Sequence, residues 1–292
     1  MRLSTFKIEY ILLLMIQFLF SFLPRFITLR IGLLIGIVLF WSGAYKKTVY
    51  GNMRYAGYWN EEEIAVIVRQ LYQNMGRYIS DFLRLSAVNP PYRTHSYDIV
   101  ERLQREKKGA IILLAHIGNW EVLAQIFGSK VKDLNVIAKP MKNKLIDNWL
   151  TQKRASTGVT TIYTQQALRK MFEVLNSKKG LVAILIDQHA GNHGTMIPFL
   201  GKDANTVRTV AGIVKKTECA VLPTYSILQK DGTYDVFVSE APILDLSGKS
   251  DEQAIEAYQI QHNTIISEWI KKYPEHYFGW FHKRYRGIIP YN

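Results

Sequence analysis

The chain has 292 residues, of which 48% are hydrophobic, and this composition excludes a disordered or fibrous protein. Its 37 lysine and arginine residues outnumber its 24 acidic residues, and the net charge of +13 suits an anionic partner such as a membrane surface, a nucleic acid or an acidic protein. The single cysteine, Cys219, excludes an intramolecular disulfide.

Two uncharged, apolar segments open the chain, at residues 10–23 and 31–45. Each is shorter than the roughly 20 apolar residues that span a bilayer. Pro24 and Arg25 stand where a cleavable signal peptide would have small residues. We therefore expect residues 1–48 to be a retained membrane anchor, either one tilted span or two helices lying partly in the interface. The flanking basic residues favour a cytoplasmic position for the main domain, residues 49–292.

The rest of the chain alternates short apolar runs with amphipathic segments. Asn60 and Glu63 predict a capping box at the start of a helix that continues to Phe82. Strands are predicted at residues 109–115, 135–138, 159–163, 181–186, 220–228 and 234–239. Helices are predicted at residues 119–127, 143–157, 165–177, 206–217 and 251–272, with a long loop at 187–205. This order predicts an α/β fold with a mostly parallel sheet flanked by helices.

Catalytic residues of parallel sheets collect after the carboxyl ends of the strands, which directs attention to the segments after residues 115 and 186. The first segment, residues 116–121, reads His-Ile-Gly-Asn-Trp-Glu. Gly118 permits a tight turn, Asn119 is a good N-cap, and Glu121 falls in the first helical turn. A carboxylate there could hold the His116 ring in one orientation and stabilise its protonated form, so that His116 acts as a general base toward an alcohol. The alternative is a strand-end histidine satisfied by the turn, with Glu121 complementing the helix dipole.

This segment resembles the first motif of the lysophospholipid acyltransferase superfamily, in which four positions separate a histidine from an acidic residue. Its Gly-Asn-Trp-Glu ending resembles the bacterial lipid A biosynthesis acyltransferases in particular. Three later blocks resemble the same family in the same order. They are an arginine four positions before a glycine (154–158), Asp-Gln followed by Pro-Phe-Leu-Gly (187–188, 198–201), and Pro-Glu leading to Trp-x-His-x-Arg (274–284). Ile117, Leu200 and Tyr277 depart from the aromatic residues that the family often has there.

The resemblance implies a glycerolipid acyltransferase-like fold and a membrane-associated O-acyltransferase. We expect neither a cofactor nor a metal. It implies His116 and Glu121 as catalytic residues. The substrate-binding residues that it implies are Arg154, Asp187, Gln188, Asn119, His282 and Arg284. We expect backbone N–H groups of residues 118–120 to stabilise the oxyanion of the reaction.

The resemblance also implies the substrates and the location. The donor would be an acyl thioester, on acyl carrier protein or coenzyme A, and the acceptor a hydroxyl of a lipid A precursor or related glycolipid. The enzyme would lie at the bacterial inner membrane with its catalytic domain facing the cytoplasm.

Two other functions stay open from the residues alone. The enzyme could acylate a lysophospholipid or another membrane lipid. A protein of another class would bind anionic lipid or nucleic acid without catalysis, through the basic, aromatic residues 273–284; we expect no nucleic-acid partner. His189 and His193 have a spacing that suits zinc only on one helix, and Gly191 and Gly194 argue against a helix there.

Overall fold

The structure is a computed structural model that describes residues 2–84, 89–131, 133–176 and 180–291. The helices are α1 (Arg2–Phe22), α2 (Arg25–Ser42), α3 (Lys46–Ala56), α4 (Glu61–Leu83), α5 (Asp98–Arg105), α6 (Trp120–Lys130), α7 (Lys144–Ser156), α8 (Ala167–Asn176), α9 (Thr209–Thr217) and α10 (Asp251–Lys272). The strands are β1 (Tyr92–His95), β2 (Ala110–Leu114), β3 (Leu134–Ala138), β4 (Val159–Tyr163), β5 (Leu181–Leu185), β6 (Thr195–Phe199), β7 (Lys202–Thr206), β8 (Ala220–Leu228) and β9 (Tyr234–Val238). Short 3₁₀ turns follow α10 at Pro274–His276 and Phe278–Phe281. The predicted end of a helix at residue 177 lies outside the described residues.

A seven-stranded sheet in the order β1-β9-β8-β2-β5-β3-β4 forms the centre of the fold. All its neighbouring strands are parallel except β8 and β9, which form an antiparallel pair. Strand β2 is buried along its whole length, as expected of a parallel strand covered on both faces. The prediction of an α/β fold with a mostly parallel, helix-flanked sheet is confirmed.

The sequence-based interpretation missed three strands. Residues 187–205 were predicted as one loop, but they contain β6 and most of the hairpin that β6 forms with β7. The hairpin turns at Leu200 and Gly201, which both have positive φ, of 52° and 67°. Strand β1 is only four residues long and lies at the sheet edge. The predicted capping box of Asn60 and Glu63 is present at the start of α4.

Helices α1 and α2 are both long and apolar enough to cross a membrane, and most of their surface is exposed, which fits an anchor. Helix α2 nevertheless packs along α4, and small residues make this contact close. A Cβ atom added to Gly32 would lie 2.4 Å from the Gly76 carbonyl oxygen, and one added to Gly76 would lie 1.9 Å from the Gly32 carbonyl oxygen. The division into an anchor (1–48) and a catalytic domain (49–292) stays a prediction.

This close approach makes Gly76 sensitive to a single methyl group. Because the backbone of α2 blocks the added atom, we expect Gly76→Ala to lower the free energy of unfolding by about 1–3 kcal/mol. Thermal unfolding of the full chain in detergent measures this. The matched control is Gly212→Ala in α9, where an added Cβ meets nothing within 4 Å and should stabilise by roughly 0.5–1 kcal/mol. Equal effects of the two substitutions would contradict the close packing.

A chain of hydrogen bonds connects the start of α2 to the interior of the main domain. Arg25 donates from Nε and Nη2 to the two carboxylate oxygens of Asp81, each at 2.8 Å. Asp81 accepts a third bond, of 2.8 Å, from the Tyr234 hydroxyl, which in turn accepts from Asn119 at 3.2 Å. Since Asn119 caps α6, the apolar helix α2 is fixed relative to the turn that follows β2.

Two buried histidines predict a loss of stability in mild acid. Burial lowers the pKa of His262 to about 4, and burial together with the charge of Arg77 lowers that of His276 to about 4. Histidines of the unfolded chain titrate near 6.5, so between pH 6.5 and 4 the unfolded state binds protons that the folded state excludes, and stability falls as the pH falls. At pH 5 each histidine should cost on the order of 1–2 kcal/mol.

Melting temperatures between pH 7 and 5 test this expectation. His262→Gln should make the decline shallower, because glutamine does not titrate, whereas the exposed His193→Gln should leave it unchanged. An unaltered slope in His262→Gln would show that acid acts elsewhere.

Candidate active site

The turn after β2 holds His116 at the carboxyl edge of the sheet. Gly118 has a φ of 66°, and its N–H donates to the His276 carbonyl oxygen at 2.9 Å. A Cβ atom on Gly118 would lie 1.5 Å from the carbonyl oxygen of Ser226, so only glycine fits between the turn and β8. The expectation that the Gly118 N–H helps to stabilise an oxyanion is therefore wrong, because a main-chain carbonyl already occupies it.

His116 is hydrogen-bonded to a carboxylate that follows the neighbouring strand. Its Nδ1 lies 2.8 Å from Oδ1 of Asp187, and its backbone N–H donates to Oδ2 of the same residue at 3.0 Å. The two residues meet because β2 and β5 pair in parallel register, with Leu114 opposite Leu185. Burial opposes ionisation of Asp187, but the charge and hydrogen bonds of His116 outweigh it and lower its pKa to about 2. Asp187 is thus ionised at neutral pH. Its carboxylate accepts the hydrogen bond, and Nδ1 of His116 carries the proton and donates it.

The second nitrogen of His116 faces an amide and another histidine. Nε2 of His116 lies 3.3 Å from Nε2 of Gln188, and the same amide nitrogen lies 3.1 Å from Nε2 of His282. With Nδ1 protonated, Nε2 of His116 is the basic nitrogen, and the Gln188 amide can donate to both rings. The centroids of the His116 and His282 rings are 5.2 Å apart. This tautomer is the one that a general base needs, since its lone pair points away from the carboxylate.

Glu121 lies in the first turn of α6, as predicted, but its described hydrogen bonds go to Arg154. Arg154 donates from Nε to Oε2 at 3.0 Å and from Nη2 to Oε1, a two-point ion pair that is largely buried. The predicted contact between Glu121 and His116 is therefore replaced by a contact between Asp187 and His116. Because the Glu121 carboxylate lines the same cavity as His116, its catalytic role stays a prediction.

Two of the predicted substrate-binding residues have most of their polar atoms engaged with the protein itself. Asn119 accepts from the Val122 N–H and donates to the Tyr78 carbonyl oxygen and the Tyr234 hydroxyl. Arg284 is only 2% exposed and donates to two backbone carbonyl oxygens and a threonine hydroxyl. Of the six, Gln188 and His282 are exposed beside His116.

An apolar cavity of about 730 Å³ opens at His116. Its polar end is formed by His116, Glu121, Gln188 and His282. The apolar lining comes from α2, α4, α7 and the C-terminal segment, through Leu39, Tyr72, Met75, Ile79, Phe82, Leu150, Phe278 and Phe281. A cavity with mostly apolar walls and a few polar groups at one end suits a long hydrocarbon chain with a reactive head.

The sequence did not indicate this lining. The predicted helix up to Phe82 did not show that Met75, Ile79 and Phe82 would line a cavity. Residues 273–284 are also not exposed throughout, since Tyr277 is 1% and Trp280 2% exposed. These two rings lie in the core, where they are not accessible for stacking on bases.

Among the residues that the structure describes, no group of three or more His, Cys, Asp or Glu side chains could hold a metal ion.

Comparison with known proteins identifies a family. The sequence profile of the family described as "Bacterial lipid A biosynthesis acyltransferase" matches residues 3–287, nearly the whole chain. Comparison with individually curated proteins gives no match. The family predicted from the four motif blocks is confirmed: the chain belongs to the bacterial lipid A biosynthesis acyltransferases.

Proposed function

We propose that the protein transfers a fatty acyl chain from an acyl thioester on acyl carrier protein to a hydroxyl of a lipid A precursor, at the bacterial inner membrane. The observation that carries the chemistry is the pair formed by His116 and Asp187 at the polar end of the apolar cavity. Family membership supports acyl transfer to lipid A in general. The acyl carrier protein donor, the lipid A precursor as acceptor and the membrane location are added by this proposal.

In the proposed reaction the acyl chain lies in the apolar cavity with its thioester carbonyl beside His116. Nε2 of His116 takes the proton of the acceptor hydroxyl while the oxygen forms a bond to the carbonyl carbon. The tetrahedral intermediate then breaks its carbon–sulfur bond, and the leaving thiolate takes the proton from the imidazolium. An ester and a free thiol are formed, and His116 returns to its starting state.

The neighbouring groups have separate tasks in this proposal. Asp187 keeps the His116 ring in the required tautomer and stabilises the imidazolium. Glu121 lines the cavity, and Arg154, which is ion-paired with it, balances its negative charge. The backbone N–H groups of Asn119 and Trp120 are the other candidates for the oxyanion, since that of Gly118 is occupied.

The apolar helices support a position at the membrane. Helix α2 contributes Leu39 to the cavity that contains His116, so the cavity is built partly from an element long and apolar enough to enter a bilayer. The net charge of +13 would favour both anionic lipid and the acidic carrier protein. Cytoplasmic orientation follows the basic residues that flank the helices.

A transfer assay with a panel of acceptors tests this function. The full-length protein in detergent is given labelled acyl groups on acyl carrier protein, with a lipid A precursor or a lysophospholipid as acceptor. We expect labelled product with the lipid A precursor. Label on the lysophospholipid alone would establish the alternative substrate class, and no labelled lipid from any acceptor would contradict an enzymatic function.

A further inference from the structure

A second cavity, of about 430 Å³, lies beside the apolar one. It is lined by Gln188, His189, Gly191, His282, Lys283 and Arg286, and we call it the basic cavity. Gln188 and His282 line both cavities, and Gln188 also lies beside Nε2 of His116. The basic nitrogen of His116 is thus close to the boundary between the apolar cavity and the basic cavity. An amphiphile that reacts at His116 would place its apolar part on one side and an anionic part on the other.

Lys283 and Arg286 give the basic cavity two exposed cations. Within the described part of the chain, neither takes part in an ion pair with a carboxylate. Lys283 instead lies over the Tyr291 ring, with Nζ 5.7 Å from the ring centroid. Unpaired cations in a concave site attract an anion more strongly than paired ones on an open surface.

A buried arginine adds charge behind this cavity. The Arg284 guanidinium donates to the backbone oxygens of Gln188 at 3.2 Å and Asn205 at 2.5 Å, and to the hydroxyl of Thr206 at 2.7 Å. Its Nε is buried without a partner in the described chain. These hydrogen bonds go to neutral oxygens, and the charge of Asp187 acts on the guanidinium without a direct hydrogen bond. An anion in the cavity would add to the compensation of this buried charge.

The charges of Arg284 and Arg286 act on His189 in the wall of the basic cavity. Burial, and after it the charges of Arg284 and Arg286, lower the pKa of His189. Arg154, which the family resemblance assigns to substrate binding, has two of its guanidinium nitrogens bound to Glu121. By contrast, Lys283 and Arg286 lie beside the site, and their side-chain nitrogens are open to a ligand.

We propose that the basic cavity binds a phosphate group of a substrate through Lys283 and Arg286. Resting on the proposed function, this deepens it: the phosphate anchors the polar end of a lipid substrate while the reacting group lies at His116. Arginine can bind phosphate oxygens at two points, and lysine adds a mobile charge. Two sources fit this chemistry, a phosphate monoester on the acceptor headgroup and the phosphodiester of the phosphopantetheine arm on the donor.

The double variant Lys283→Gln/Arg286→Gln tests the proposal in full-length protein. Losing two charge-assisted hydrogen bonds should raise KM for the phosphate-bearing substrate about ten- to hundredfold, with a smaller effect on kcat. The acceptor arm compares a phosphorylated acceptor with the same acceptor after dephosphorylation. The donor arm compares the acyl phosphopantetheine thioester with the acyl pantetheine thioester of the same chain, which differ only in the phosphate. A selective rise in KM in one arm identifies the source.

The control is Lys230→Gln/Lys249→Gln, which removes the same charge from exposed positions away from the site. It should leave both KM values unchanged. If KM in the double variant does not rise, or rises equally for substrates with and without phosphate, the proposal is wrong.

A binding measurement separates this proposal from the proposed function. Inorganic phosphate should raise the melting temperature of the wild type and of the control variant more than that of Lys283→Gln/Arg286→Gln. Selective stabilisation without acyl transfer would support the phosphate site and contradict the transferase function. Equal stabilisation of all three proteins would overturn the phosphate site.

Discussion

Replacing His116 with alanine should lower kcat for acyl transfer by about 10³-fold, within the 10²–10⁴ range typical of a general base. The imidazole supplies the basic nitrogen that faces the substrate cavity, and alanine supplies none. Transfer of labelled acyl groups by purified protein in detergent measures the loss, and KM should change little because the cavity walls remain.

The control for this prediction is His193→Ala, an exposed histidine in the segment between β5 and β6. It should keep its kcat and melting temperature. Acyl transfer by His116→Ala at a rate near that of the wild type would remove His116 from the mechanism.

Asp187→Asn should lower kcat by about 10²–10³-fold, and Glu121→Gln should lower it less. The amide keeps the size of the Asp187 side chain but no longer stabilises a protonated ring, and it permits the wrong tautomer of His116.

Glu121→Gln is the matched comparison, since it removes one carboxylate charge from the same cavity. It breaks the ion pair with Arg154, so we expect its main effects on KM and stability. The opposite order, with Glu121→Gln as damaging as His116→Ala and Asp187→Asn nearly active, would restore Glu121 as the partner of His116.

The regular elements were largely predictable because their patterns are local. The apolar runs of β2, β4, β5 and β8 and the amphipathic stretch of α10 are visible in the sequence, and their order indicates a parallel sheet. The missed strands lack such a signal. Pro198 interrupts β6, β7 is polar from Lys202 to Thr206, and β1 is too short to show alternation.

The partner of His116 could not be assigned from spacing alone. Glu121 is five positions away in sequence, whereas Asp187 becomes a neighbour only because β2 and β5 are adjacent in the sheet. The sequence did indicate the two relevant segments, after residues 115 and 186. Strand order, which no single sequence pattern encodes, decided which side chains meet there.

The contact between α2 and α4 was also beyond the sequence pattern. Gly32 and Gly76 look like ordinary helical glycines, and only the packed structure places their backbones within touching distance. As a result, α2 lines the apolar cavity at His116 in addition to fitting an anchor. Acyl-chain length should depend on the α2 and α4 residues of this lining.

Mass spectrometry of the lipid A from cells whose only copy of this protein carries His116→Ala tests whether His116 is needed for lipid A acylation. We expect lipid A that lacks one ester-linked acyl chain, with the full mass restored by the wild-type protein. Lipid A of unchanged mass in the His116→Ala cells would contradict it.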